Sequence, residues 1–283
     1  MKHMPRYCEE MRQVEMGPLL GPAYRAFERN ITQQVKDALA NDGSAPLLPW
    51  LKALLMYADL PYLGWTCRTR SGTVLGSAPA LPFNMVYPIE QALIDYVGEQ
   101  IWGAHLPTIV LTENTGIFDD QGRLEALIAQ HARGPTNEMP RVAGLYQAML
   151  RRERQNGIEA CAREGVQVLI CNPSLLLGLD LSYFKRAAFK RVPTQIETLL
   201  HFTPCLLNPT QDTDVEVVFF AYQESLALRL LHHQARRAFG RGRFAERSHV
   251  GASQSQHDEP LLEMARTLFE TMKNEPQTHE MGC

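Results

Sequence analysis

Two stretches of the chain combine residue types that can do chemistry. In the first, Cys171-Asn172-Pro173-Ser174-Leu175-Leu176-Leu177-Gly178-Leu179-Asp180-Leu181, an apolar run ends in a turn-forming Asn-Pro and leads on to a Gly and an Asp. A glycine lets backbone approach a phosphate closely, and an aspartate accepts hydrogen bonds from a ribose or a neighbouring loop. A plain strand and turn, with Asp180 capping a helix, fits the same pattern. The second stretch is a set of cations: Lys185, Arg186, Lys190 and Arg191, then Arg229, Arg236, Arg237, Arg241, Arg243 and Arg247. Between residues 223 and 247 six arginines stand against only Glu224 and Glu246. Such a density suits salt-screened phosphate contacts, although a solvated helix face is the commoner source of it.

Several chemistries lack their residues. No Gly-x-x-x-x-Gly-Lys-Ser/Thr occurs, so the usual phosphate loop cannot form in these 283 residues. No Gly-x-Gly-x-x-Gly follows a strand, and no Gly-x-Ser-x-Gly offers a nucleophile elbow. His201, His232 and His233 have no partner at a metal-site spacing. Cys8, Cys67, Cys161, Cys171, Cys205 and Cys283 form no Cys-x-x-Cys pair and read as free cytosolic thiols. The 28 Lys and Arg against 31 Asp and Glu leave a formal charge of −3, which argues against coating nucleic acid non-specifically but permits a local basic groove. No apolar run reaches the ~18 residues of a membrane helix. The N-terminus has no secretory apolar stretch, so the expected location is the cytoplasm.

The elements that must position these residues change character along the chain. Tyr24, Phe27, Ile31, Val35 and Ala38 make one helical stripe, stopped by Asn41-Asp42-Gly43-Ser44. A second, more apolar helix over 47–57 ends before Pro61. Residues 66–84 read as an irregular connector. Pro88 opens a helix to about Trp102. Thr108–Leu111 is β-branched and strand-like, a helix follows Asp119-Asp120, and Val142–Leu145 is a weaker strand. An Arg- and Glu-rich helix over 150–164 stops at Gly165, and Val166–Cys171 is the clearest strand in the chain. Val215–Phe220 is another strand, followed by a helix over 225–239, a polar linker over 249–257 and a last helix over 260–272.

Strands alternating with helices at this spacing predict an α/β domain with a mostly parallel sheet covered by helices. Ligands of such sheets bind beyond the carboxyl ends of the strands. The positions to watch are therefore Glu113-Asn114-Thr115-Gly116, Asn172-Pro173, Gly178-Leu179-Asp180 and the segment before Asp214.

Taken in order, residues 86–240 resemble the second RecA-like lobe of superfamily-two helicases. The likeness is to DEAD/DEAH-like and Snf2-like members found on bacterial plasmids and mobile elements. Tyr87–Ile94 is similar to the family's lead-in helix, Ile109–Thr115 to its motif IV strand, and Gly122–Leu127 to the helix after it. The run Glu164–Pro173, then Gly178-Leu179-Asp180-Leu181, resembles motifs Va and V; it is the most specific part of the likeness. Val215–Tyr222 with Leu226–Arg237 resembles the closing strand and helix, and residues 16–65 resemble a helical segment that precedes the lobe. Two positions depart. Leu177 stands where motif V places a Thr before its Gly, and residues 201–211, in the place of motif VI, contain no arginine. A guanidinium aimed at a transferring phosphoryl group is worth orders of magnitude in rate, and Cys, Pro and Asn cannot supply it.

The resemblance implies a RecA-like α/β fold preceded by a helical N-terminal segment. The expected division is a helical segment and connector over 1–85, a helicase C-terminal-like domain over 86–247, and a linker with a last helix over 248–283. The expected function is a degenerate helicase lobe that binds DNA or RNA, or assists a separate motor lobe or ATPase subunit, without hydrolysing ATP alone. The alternative is a non-enzymatic interaction scaffold or the relic of a longer helicase. No cofactor is expected unless a partner lobe completes a site for ATP and magnesium. No metal or catalytic residue is expected. The nucleotide- or nucleic-acid-proximal positions implied by the resemblance are Asn172, Pro173, Gly178 and Asp180, and electrostatics adds Arg236 and Arg237.

Overall fold

A computed structural model describes residues 6–113, 118–191, 193–194, 202, 205–206, 213–240 and 254–274. By its internal contacts the chain falls into two compact units. One holds residues 1–17 and 84–227, the other residues 18–83 and 228–283. Neither unit is continuous in sequence.

The first unit is built on a six-stranded sheet. Its strands are β1 (Tyr7–Val14), β4 (Thr108–Leu111), β5 (Val142–Leu145), β6 (Val168–Cys171), β7 (Arg186–Phe189) and β8 (Val215–Tyr222); β2 (Trp65–Arg68) and β3 (Val74–Ala78) belong to the other unit. The order across the sheet is β1-β8-β7-β4-β6-β5, and every neighbouring pair is parallel. All residues of β4 and β6 are buried. That burial is why these strands are short continuous apolar runs rather than alternating ones. Helices α3 (Pro88–Gly98), α4 (Asp120–His131) and α5 (Arg151–Glu164) belong to this unit. Phe189 stacks on Phe219 at 5.0 Å and packs edge-on to Phe202 at 5.6 Å, so the centre of the sheet is closed by aromatic rings.

Two strands of this sheet depart from expectation. Residues 7–14, expected inside a helical segment, form β1, which pairs with the whole length of β8. Its Glu9, Glu10 and Arg12 carry no strand signal; the backbone ladder to β8 overrides their weak β propensity. The second, β7, has the composition Arg-Ala-Ala-Phe and is a strand because it fills the space between β4 and β8.

The second unit contains α1 (Gly17–Asp42, beginning at the boundary), α2 (Leu47–Asp59), the antiparallel pair β2 (Trp65–Arg68) and β3 (Val74–Ala78), and α7 (Gln254–Asn274). Helix α6 (Leu226–Gly240) leads into it. The fully buried Trp50 meets Phe269 edge-on at 5.2 Å and donates its indole N–H to Thr32 Oγ1 at 3.0 Å. Phe27 and Tyr57 pack at 5.3 Å, and the Tyr57 hydroxyl donates to the Pro79 carbonyl at 3.1 Å. Here too the structure corrects two readings. The connector over 66–84 contains a β-hairpin, because Cys67, Leu75 and Ala78 bury themselves while polar neighbours face out. The last helix begins at Gln254, inside the stretch expected to be a linker.

Candidate functional site

The strand order changes direction around β4. The chain leaves β4 for β5 on one side and later returns to place β7 on the other. In parallel sheets the crevice at such a switch, beyond the carboxyl ends of the strands, is where ligands bind. The segments meeting there follow β4 (Thr112, Glu113), β6 (Asn172–Ser174) and β7 (Lys190, Arg191).

Asn172 ties two of these segments together. Its Nδ2 donates to the Glu113 carbonyl at 3.1 Å, while its Oδ1 accepts from the Ser174 amide at 2.9 Å and the Ser174 hydroxyl at 2.7 Å. It thereby caps a single 3₁₀ turn over Pro173–Leu176, with the buried Pro173 at the first position. The Asn-Pro signal is thus a cap and a loop brace at the sheet edge.

Behind this edge lies a buried ionic network. Lys190 is fully buried, and its Nζ stands 2.5 Å from Asp120 Oδ1 and 3.9 Å from Glu90 Oε1. Thr112 Oγ1 donates to Asp120 Oδ2 at 2.6 Å. Arg123 closes a two-toothed pair on Glu90 at 2.8 Å for each contact, and its Nη2 also donates to the Met85 carbonyl at 2.7 Å. The Tyr87 amide donates to Glu90 Oε2 at 3.0 Å, fixing the start of α3. Next along the chain, Arg191 pairs with Glu113, which also accepts from the Thr194 amide at 3.4 Å. Two cations meet two carboxylates in the first cluster, and one meets one in the second. Burying a charge costs several kcal/mol unless it is paired and hydrogen-bonded, and here each charge is. The cations at the β7 end are therefore engaged with carboxylates of the same unit.

Gly178 and Asp180 lie farther along, over α5. Gly178 adopts a left-handed conformation with φ of +71°, and a Cβ there would come within 2.6 Å of Arg151 Nη2. Asp180 does not cap a helix: its Oδ1 accepts from the Ser182 amide at 2.9 Å within a turn, and its own amide donates to Gln155 Oε1 at 3.2 Å. The ammonium of Lys185 donates to the Ser182 carbonyl. Burial lowers its pKa, and the charge of Asp180 opposes that fall.

The sequence marks the start of α5 only as an exposed helix rich in Arg and Glu. The exposed Arg151 and Arg152, with the half-buried Arg154, stand in its first turn, where Glu153 accepts from the Leu150 amide at 2.7 Å. Cations at a helix N-terminus sit against the positive end of the macrodipole. The arrangement concentrates positive potential and favours an approaching anion. Beside it Leu150 is 70 % exposed, and Tyr146 and Leu177 are exposed as well. The signal for this surface was present in the spelling Arg151-Arg152-Glu153-Arg154 directly after a strand and turn.

Arg236 and Arg237 stand on α6, and their side chains lie outside the described residues. Asn114, Thr115 and Gly116 also lie outside them, as does most of 201–211. Among the described residues no group of three or more His, Cys, Asp and Glu side chains could hold a metal ion. Burial raises the thiol pKa of both Cys161 and Cys171, which keeps them protonated.

No protein-family profile matches this sequence, and no curated protein matches it by sequence. Solved structures do match its fold. The C-terminal part of the Fun30 ATPase domain superposes with a TM-score of 0.62 at 12 % identity, over 96 % of this chain and 99 % of that one. The SWI2/SNF2 ATPase core of Sulfolobus solfataricus in complex with double-stranded DNA gives 0.58 at 14 % identity, over 83 % of this chain and 45 % of that one. The same ATPase core domain in a second structure gives 0.54 at 12 % identity, over 86 % and 46 %. The fold is the one these ATPase domains share. Its RecA-like parallel sheet flanked by helices is the architecture expected from the sequence, and this chain spans less than half the length of the Sulfolobus ATPase core. No helix among the described residues is long and apolar enough to cross a membrane.

Proposed function

We propose that this helicase-like lobe binds nucleic acid through phosphate contacts, beside or as part of a larger motor, and does not hydrolyse ATP by itself. The fold likeness to the C-terminal part of an ATPase domain, over nearly the whole chain, carries this reading. The Sulfolobus relative in fold was solved on double-stranded DNA, which favours a nucleic acid over a small molecule as the partner. The contact surface we assign in the first unit runs from Asn172, with the buried Pro173 bracing its turn, past Gly178 and Asp180 to the first turn of α5; Arg236 and Arg237, on α6 in the second unit, are proposed separately as a basic element. Arg151, Arg152 and Arg154 supply the charge there, and the left-handed Gly178 keeps the loop close to it.

The proposal that ATP and magnesium bind only when a partner lobe completes the cleft rests on two features. The sequence holds no phosphate loop and no arginine over 201–211. Lys190 and Arg191, the cations at the β7 end, are committed to Asp120, Glu90 and Glu113, so neither is on offer to a triphosphate. The origin in a plasmid or mobile element, and the cytoplasm as its location, are part of the same proposal.

The test is filter binding of labelled single- and double-stranded DNA and RNA at low and moderate salt, beside a phosphate-release assay with ATP. Retention that weakens as salt rises, with phosphate release at background, is the expected result. Absence of retention at low salt, or release at a steady rate by purified protein, contradicts it.

A further inference from the structure

The β2–β3 hairpin of the second unit has the features of a nucleic-acid contact, and nothing described so far uses it. From Leu60 to Ile89 the chain contains no Asp or Glu, while Arg68 and Arg70 fall in the middle of that span. Both arginines are exposed, and among the described residues neither makes an ion pair. Thr69 between them is buried at 7 % exposure, so Arg68 at the strand end and Arg70 in the turn are the exposed side chains of this tip.

The tip that carries them is braced. The Thr69 amide donates to the Thr73 carbonyl at 2.9 Å, and the Gly72 amide to the Thr69 carbonyl at 3.0 Å. Thr69 Oγ1 accepts from the Thr73 amide at 3.1 Å and shares a hydrogen bond with Ser71 Oγ at 2.8 Å. Gly72 takes a φ of +92°, which a side chain would strain. The pairing register shifts between Cys67 and Arg68, an irregularity of the kind that re-aims side chains at a strand end. Below the tip the hairpin is anchored on α1: a Cβ on Gly76 would come within 2.7 Å of Ile31 Cγ2. Arg68 at the end of the ribbon and Arg70 in its braced turn are thus held in place, and little backbone entropy remains to be lost when they engage a ligand.

We infer that this hairpin is a second phosphate-contacting element, in which Arg68 and Arg70 engage the backbone of a nucleic-acid duplex. A two-stranded ribbon matches the width of a duplex groove, and exposed arginines beside it meet the flanking phosphates. The uncompensated positive charge of an acid-free segment is the complement of that backbone. The inference rests on the nucleic-acid reading above and extends it to the second unit.

The test compares the full chain with the Arg68→Ala/Arg70→Ala and Arg68→Lys/Arg70→Lys double variants, by fluorescence anisotropy of a labelled DNA duplex over a salt series. Loss of two phosphate contacts lowers the slope of log affinity against log salt by about 1.8 and weakens low-salt binding by roughly tenfold or more. The lysine variant, which keeps the charges, is expected to stay near the unaltered chain. An alanine variant with unchanged slope and affinity, while the unaltered chain binds, overturns the hairpin assignment and leaves the general reading standing. With a labelled single strand titrated in parallel, a loss confined to that strand overturns the duplex assignment. Polyglutamate competing as well as unlabelled duplex overturns it in favour of an acidic protein surface. An unaltered chain that does not bind at all removes both readings.

Discussion

Lys190 and Arg151 carry the same charge in the same unit and are treated in opposite ways. Lys190 is fully buried, held 2.5 Å from Asp120, within a cluster where Arg123 pairs with Glu90 and Thr112 donates to Asp120. Arg151 is exposed in the first turn of α5, on the side of the helix dipole that repels it. A buried cation must be matched inside the protein or it unfolds it; an exposed cation in an unfavourable field is tolerated at little cost and remains available to an outside anion. The difference separates charges that hold the lobe together from charges that serve a partner. It also warns against counting cations by sequence: Lys190 and Arg191 belonged to the same basic set as Arg236 and Arg237, yet the first two are internal.

The comparison breaks most visibly at its buried end. Lys190→Ala leaves the Asp120 carboxylate buried opposite Glu90 and is expected to cost about 3–5 kcal/mol, read as a lower denaturant midpoint. A Lys190→Met/Asp120→Leu double variant removes both charges and is expected to recover much of that loss, which a role confined to packing volume would not produce. At the exposed end, Arg151→Ala/Arg152→Ala is expected to leave the fold intact and to gain a few tenths of a kcal/mol from relief of the dipole. The same variant is expected to lose nucleic-acid affinity and to show a salt slope shallower by about 1.8. Full affinity with unchanged slope would remove the α5 surface from the account.

A smaller effect concerns pH. Tyr96 donates its hydroxyl to Glu216 Oε1 at 3.3 Å, and burial first, with the Glu216 charge second, raises its pKa above the ordinary value. Burial also pushes the Cys67 thiol up to about 11. Both groups hold their protons longer folded than unfolded. The stability they contribute is therefore complete well below pH ~8.5, and it is lost as pH rises from the unfolded thiol and phenol values near 8.5 and 10 toward the higher folded ones. Thermal unfolding followed from pH 8 to 11 is expected to show a falling Tm, with a shallower fall in Tyr96→Phe.

The parts of the fold that were legible share a physical cause. Val168–Cys171 and Thr108–Leu111 are buried on both faces, so their apolar, β-branched spelling announces them. The strands β1 and β7 were not, because an exposed edge tolerates Glu9, Glu10 and Arg12, and a gap between two strands accepts Arg186-Ala187-Ala188. The hairpin was hidden by its Thr, Ser and Gly content, which is the composition of a loop until Cys67 and Leu75 find a core. In the site, Asn172 could be read because Asn-Pro after a strand has few uses. The ionic cluster could not: Glu90, Asp120, Arg123 and Lys190 are brought together by strand order, and no spacing along the chain encodes that. Asp180 illustrates the opposite error, since a helix cap and a turn brace look alike until the residues after it are seen to form no helix.

The most direct test of the central claim is the affinity of the unaltered chain for a labelled duplex, measured across a salt series. The account predicts a straight, steep decline of log affinity with log salt, about 0.9 for each phosphate engaged and hence several units once the contacts on α5 and those on the hairpin are each counted. A flat line, or no binding at the lowest salt, would contradict it.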